Sequence, residues 1–211
     1  MHPNPVFRGQ PAGDALAAAR ARGFGVLTVS VAGSGPMAAH VPFLLDASGA
    51  VLEAHLLRSN PIARALAAGP MAALLIVSGP DGYVSPDWYG EDDRVPTWNY
   101  LAVHLTGTLA LQEAAGMRAH LDRLSAEFEG KLPKRPWTTD KMQPDTLARM
   151  MRTIVPVRLA VAGVESTVKL NQNRSAAARA GAADAIAAGG TPGQETAALA
   201  ALMRAVPAAG S

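Results

Sequence analysis

Residues 83–107 read YVSPDWYGEDDRVPTWNYLAVHLTG, and the chemistry of the chain is concentrated there. Tyr83, Trp88, Tyr89, Trp98 and Tyr100 all fall in this stretch of a protein otherwise poor in rings. A core does not need such clustering, because aliphatic side chains fill volume equally well. Rings gathered near turns suit a flat ligand or a partner surface, since they offer large contact area at little conformational cost. The stretch is also heavily punctuated. Ser85-Pro86-Asp87 reads as a turn, Gly90-Glu91-Asp92-Asp93 as a polar loop, and Pro96 as the rigid entry to a strand. From Thr97 the alternation is clean: Asn99, Leu101, Val103 and Leu105 share one face, and Trp98, Tyr100, Ala102, His104 and Thr106 the other. A strand after a long loop, with its aromatics covering a sheet edge, accounts for the same pattern without a ligand.

Upstream, a hairpin carries the next strongest signal. Met37–Leu45 and Ala50–Leu57 flank the turn Asp46-Ala47-Ser48-Gly49. With Leu45 opposite Ala50, Phe43 meets Leu52, Val41 meets Ala54 and Ala39 meets Leu56, a wholly apolar face that belongs in a core. The same register sets His40 against His55 and Pro42 against Glu53 on the other face. That composition suits solvent, a ligand or another subunit. A metal site is the weaker reading, because the histidines lack any diagnostic spacing. Asn60 and Pro61 then form a helix start for IARALAA, which Gly69 ends. An anion drawn to that start would find Arg58 and Ser59 beside it; alternatively Asn60 only caps and Arg58 is solvated.

Working outward, Met1–Gly13 is an extended arm, and Asp14 caps a short helix ended by Gly23. Phe24–Val31 is a strand, and the apolar run Met71–Ser78 is expected to be a strand buried on both faces. A helix is expected near Ala114–Glu129, with Met117, Leu121, Leu124 and Phe128 on its apolar side. The basic loop after it holds Trp137 as an anchor. A second helix, about Asp145–Thr153, leads into a strand from Ile154 to Val164, followed by the polar run Lys169-Leu170-Asn171-Gln172-Asn173-Arg174. The alanine-rich remainder, broken at Gly189-Gly190 and Pro192-Gly193, reads as a weakly packed helical appendage. Links such as Asp46–Gly49 are too short for parallel crossovers. The pattern therefore predicts a mainly β, α+β architecture: a small antiparallel barrel with peripheral helices.

Composition narrows the function. The 211 residues include no cysteine, which excludes disulfides, thiolate nucleophiles and cysteine-ligated metals. A formal charge of +2 without basic blocks says little about nucleic acid. No apolar run approaches the ~20 residues of a membrane span, and no secretory leader is visible, so the cytoplasm is the default expectation. Phosphate-loop, dinucleotide, hydrolase-elbow and zinc-protease motifs are absent, and no residue presents itself as an acid, base or nucleophile.

HVPFLL, EAHLLRSNP, SGPDGYVSPDWY, VPTWNYLAVHLTG and KLNQNR, in this order and spacing, resemble the PaiB family, the FMN-binding negative transcriptional regulators. The resemblance runs from the N-terminal arm to about Gly181. It divides the chain into an FMN-binding split-barrel domain over residues 1–181 and a helical appendage over 182–211. This sequence departs from the family pattern at Glu53, usually Gly, and at Asn171, commonly Ser. The resemblance implies an antiparallel split β-barrel of the flavin-reductase or pyridoxamine-oxidase kind, a homodimer with FMN at the subunit interface. DNA as a partner, and a repressor role, are implied by the family name alone. For the phosphate, Arg58, Lys169 and Arg174 are the cations at the motif positions, with Asn60 at the nearby helix start. Trp98 would supply a flat bed for the flavin, and His40, His55, Asn99 and Gln172 donors and acceptors for its edge. Each also has a structural alternative: Trp98 in a dimer core, Asn99 closing a turn, Lys169–Arg174 capping the next helix.

Overall fold

The computed structural model describes residues 1–189 and 195–206. Its strands are β1 (Phe24–Val31), β2 (Gly35–Leu45), β3 (Val51–Leu57), β4 (Met71–Val84), β5 (Thr97–Leu111) and β6 (Ile154–Lys169). They close a barrel in the order β1-β2-β3-β6-β5-β4. The helices are α1 (Ala12–Arg22), α2 (Pro61–Ala65), α3 (Met117–Glu129), α4 (Pro144–Met151), α5 (Ala176–Gly189) and α6 (Thr196–Ala205). Asp14 does not cap α1. The helix already runs from Ala12, and Asp14 sits in its first turn, where a carboxylate favours the helix dipole. No helix among the described residues is long and apolar enough to cross a membrane.

The chain forms two compact units. One comprises residues 19–77 and 104–164, the other residues 1–18, 78–103 and 165 onward. In the first, β1 pairs with β2 from Phe24↔Pro42 to Val31↔Gly35. β3 pairs with β6 from Val51↔Ala160 to Leu57↔Ile154. The predicted apolar face is borne out, since Ala39, Val41, Phe43, Leu45, Leu52, Ala54 and Leu56 are all buried. Each larger aliphatic contributes about 1.5–3 kcal/mol through its burial.

The hairpin register needs correcting. Phe43 lies opposite Ala54 and Leu45 opposite Leu52, two residues away from the expected pairing. The cause is Asp46. Its carboxylate accepts from the Val51 amide at 2.9 Å and from the Ser48 hydroxyl, and its own amide donates to the Val51 carbonyl at 3.0 Å. Ala50 is thereby drawn into the turn. A shift of two leaves every side chain on its predicted face, but it separates the two histidines: His40 lies opposite Val26 on β1, and His55 opposite Pro156 on β6.

The expectation that Met71–Ser78 is buried on both faces is also corrected. Ala73, Leu75 and Val77 are buried, whereas Ala72 is exposed and Leu74 half-buried. A barrel wall has one interior face, and the apolar residues on the outer one line an open groove with Thr28, Ser30 and Pro36.

In the second unit the alanine-rich tail is not weakly packed. Ala182, Ala183, Ile186, Leu199, Ala200 and Met203 are fully buried, in one cluster with Val84, Tyr89 and Leu170. Small side chains let α5 approach its neighbours closely; a Cβ on Gly181 would sit 2.9 Å from the Trp88 carbonyl oxygen. Arg179 donates to the Val206 carbonyl at 2.9 Å, tying the start of α5 to the end of α6. Gly189 ends α5 as expected, while Gly190, Pro192 and Gly193 lie outside the described residues. Leu199→Ala should therefore cost about 2–5 kcal/mol. Urea denaturation measures it, and a change within about 0.5 kcal/mol would mark α6 as a loose appendage.

Candidate functional site

The second unit gathers cations and rings. β6 ends at Lys169, and a tight turn delivers the chain to α5. Asn171 takes a left-handed φ of 61°, a conformation that Asn tolerates better than Ser, which accounts for its presence at a departure from the family pattern. Gln172 locks the turn: its Oε1 accepts from the Leu170 amide at 2.7 Å and its Nε2 donates to the Val168 carbonyl. Both ends of its amide are therefore engaged in shaping the loop. Ser175 caps α5, its Oγ accepting from the Ala178 amide at 3.1 Å.

That turn fixes two cations. The Lys169 ammonium donates to Thr97 Oγ1 and lies 5.9 Å from the Phe7 ring centroid. The Arg174 guanidinium lies 5.3 Å from the centroid of the Tyr89 ring. Burial, and then the charge of Arg174, push the Lys169 ammonium below the usual lysine range. The carboxylate near them, Glu91, is already held by Arg94 at 2.8 Å and by the Ser175 hydroxyl at 2.8 Å. Tyr83 makes edge-on contacts with both Trp88 and Trp98 at 6.4 Å, and Trp98 remains 48% exposed. Asn99, on the opposite face of β5, is fully buried, and its Nδ2 donates to Met203 Sδ at 3.4 Å.

The remaining candidates lie in the barrel unit. His40 is exposed and stacks on Phe24 at 6.2 Å. Arg58 ties the end of β3 to the α4–β6 junction: its Nε donates to the Arg152 carbonyl at 3.2 Å and its backbone amide to that of Thr153 at 2.8 Å. Asn60 caps α2, its Oδ1 accepting from the Ile62 amide at 2.9 Å, but α2 spans only five residues. Glu53 pairs with Arg123 on the exposed side of α3. Such a surface pair contributes at most about 1 kcal/mol.

His55 found a partner that sequence reading missed. Its Nδ1 lies 3.2 Å from Nε2 of His120, which is only 3% exposed and whose Nδ1 is buried without a hydrogen bond. The signal was present, since His120 lies three residues after Met117 and four before Leu124 and so shares their buried stripe. Burial, and then the neighbouring His55, hold the His120 pKa at about 4; burial alone lowers that of His55. A histidine depressed in this way leaves stability intact above its ordinary value of 6.5. As pH falls below that value the unfolded chain takes up the proton first, and stability drains away until about pH 4. The melting temperature should therefore fall between pH 6.5 and 4.5 in the unmodified protein and fall less in His120→Gln. Parallel melting curves for the two proteins would contradict the assignment. The depressed carboxylates Asp46, Glu91, Asp122 and Glu129 withdraw their stabilisation at lower pH, as they protonate.

Comparison with known proteins agrees with this architecture. The family described as "Putative FMN-binding domain" matches residues 1–163, ending before Lys169. Protease synthase and sporulation protein PAI 2 of Bacillus subtilis is 30% identical over 154 residues, 72% of each chain. Among solved structures, the flavocytochrome Anf3 of Azotobacter vinelandii superposes with a TM-score of 0.56 at 15% identity, over 80% of this chain and 72% of that one. A FAD- and heme-binding protein of Mycobacterium smegmatis gives 0.50 at 20% identity, over 74% and 69%. At these identities the structural likeness speaks for the split-barrel fold. The family match and the Bacillus relative go further: this chain belongs to the PaiB family of FMN-binding split-barrel proteins.

Proposed function

We propose that the protein is a flavoprotein in which Lys169 and Arg174 hold the FMN phosphate and Trp98 offers the ring a flat contact. The observation that carries this reading is the pair of cations at the end of β6. Their mutual repulsion and the partial burial of Lys169 raise the energy of the charged pair, and an anion placed between them relieves both. Thr97, already bonded to Lys169, adds a hydroxyl of the kind phosphate oxygens accept from. This donor set fits a phosphomonoester better than a neutral ligand.

When bound, the flavin supplies the redox chemistry. The chain's own part is to bind, orient and shield. Gln172 and Asn171 hold the cation-bearing turn, and Tyr83 wedges its ring against Trp98 and so limits the orientations of the indole. Trp98 at 48% exposure and Val95 at 67% leave apolar surface that a second subunit would cover, which supports a homodimer.

The test is titration of Lys169→Ala and Arg174→Ala with FMN and with riboflavin, on samples whose mass is measured by light scattering. A charge-assisted hydrogen bond contributes about 1.5–3 kcal/mol, so each substitution should weaken FMN roughly ten- to a hundred-fold. Riboflavin, lacking the phosphate, should bind almost as before, and the mass should be that of a dimer. Equal weakening of both ligands would place the phosphate elsewhere, and a monomer mass would remove the second subunit from the site.

A further inference from the structure

The barrel unit contains a cavity that plays no part in the flavin reading. Its volume is ≈ 360 Å³, and its walls include Trp137, Met142, Leu147, Met150, Met151 and Ile154, with His55 beside them. That volume falls at the lower end of the about 300–1,000 Å³ typical of small-molecule sites. No Asp, Glu, Lys or Arg lines it. Three methionines give walls that adapt to a ligand's outline and favour contact with ring edges.

The polar lining is sparse, and part of it is already engaged. The Thr139 hydroxyl donates to Asp122 at 2.7 Å, and the Thr153 hydroxyl to the Met150 carbonyl at 2.7 Å. Among the described residues the Ser125 hydroxyl has no hydrogen-bond partner, and the His55 ring is engaged at Nδ1, with no partner there for Nε2. The His55–His120 contact holds one proton between two ring nitrogens. If His55 donates, its Nε2 is an acceptor; if His120 donates, the same Nε2 carries a proton and is a donor. A hydroxyl can answer either state, because it both donates and accepts. Burial keeps both rings neutral near pH 7, so the pair offers a ligand no counter-charge.

We propose that this cavity is a binding site for a small, neutral, planar aromatic molecule bearing a hydroxyl group, with His55 Nε2 and Ser125 Oγ as its polar contacts. Trp137, Met142 and Met151 enclose the ring. The site is independent of the FMN phosphate, and neither Lys169 nor Arg174 lines it.

The experiment is isothermal titration calorimetry of the FMN-loaded protein with 2-naphthol, naphthalene and 2-naphthoate. Saturable binding of one 2-naphthol per chain is expected, with naphthalene weaker and naphthoate weakest. Ser125→Phe and Met151→Trp, which fill the cavity from α3 and from α4, should each weaken 2-naphthol at least tenfold without changing the FMN stoichiometry. His55→Leu should weaken 2-naphthol about five- to tenfold, as expected for one hydrogen bond, and leave naphthalene unchanged. Three results would overturn the proposal: no saturable binding, as when a second copy covers the opening; binding indifferent to both filling substitutions; or equal loss of both probes in His55→Leu.

Discussion

The barrel depends on how closely β5 approaches β6 at Gly107. A Cβ placed there would lie 1.9 Å from the Ala160 carbonyl oxygen, so no side chain is compatible with the two backbones as they stand. This contact belongs to the same closed sheet that brings the early hairpin against the last strand, where Val51 meets Ala160 and Leu57 meets Ile154. About a hundred residues of chain separate those partners, so the pairing carries a large loop-closure entropy. It is sustained by the continuous interior of Phe43, Leu52, Leu75, Leu105, Leu109 and Leu159, all almost wholly buried. Placement of His55 and Arg58 follows from that closure, since both sit on or just beyond β3.

The second unit solves a different problem with different residues. Its core is built largely from alanines on α5 and α6, with Ile186, Leu199 and Met203 as the larger contributors. Small side chains permit close helix packing, and the rings of Trp88 and Tyr89 supply the volume that alanine lacks. The aromatic-rich stretch thus has two duties: Tyr89 is core, while Trp98 stays half exposed beside Tyr83. The polar run after β6 also has two. Gln172 spends its amide on the backbone, while the half-buried Lys169 donates to Thr97 and Arg174 lies over the Tyr89 ring.

Much of this was legible in the sequence, for reasons tied to periodicity. Period-two alternation assigned both faces of β2, β3 and β5, because a strand side chain has only two directions available. Register was not legible to the same degree. Whether Ala50 opens β3 or closes the turn depends on one carboxylate reaching the Val51 amide, a local choice invisible to hydrophobic patterning. Met71–Ser78 misled because an apolar outer barrel wall and a doubly buried strand have the same composition. The tail misled because alanine signals helix without signalling burial. His120 was hidden by its polarity, although its spacing placed it among core residues. The resemblance put Lys169, Arg174, Gln172, Asn99 and Asn60 forward alike, whereas only the fold shows Gln172 bonding the backbone of its own turn, Asn99 Nδ2 bonding Met203 and Asn60 capping α2.

Whether Lys169 and Arg174 hold the FMN phosphate can be read from ³¹P NMR of FMN bound to the protein across pH. Free phosphomonoester dianions take up a proton and become monoanions near pH ~6. Two adjacent cations stabilise the dianion and lower that value. With both cations on the phosphate, the bound resonance stays at the dianion position down to about pH 5, below the free phosphomonoester value. A bound phosphate that titrates like free FMN would contradict it.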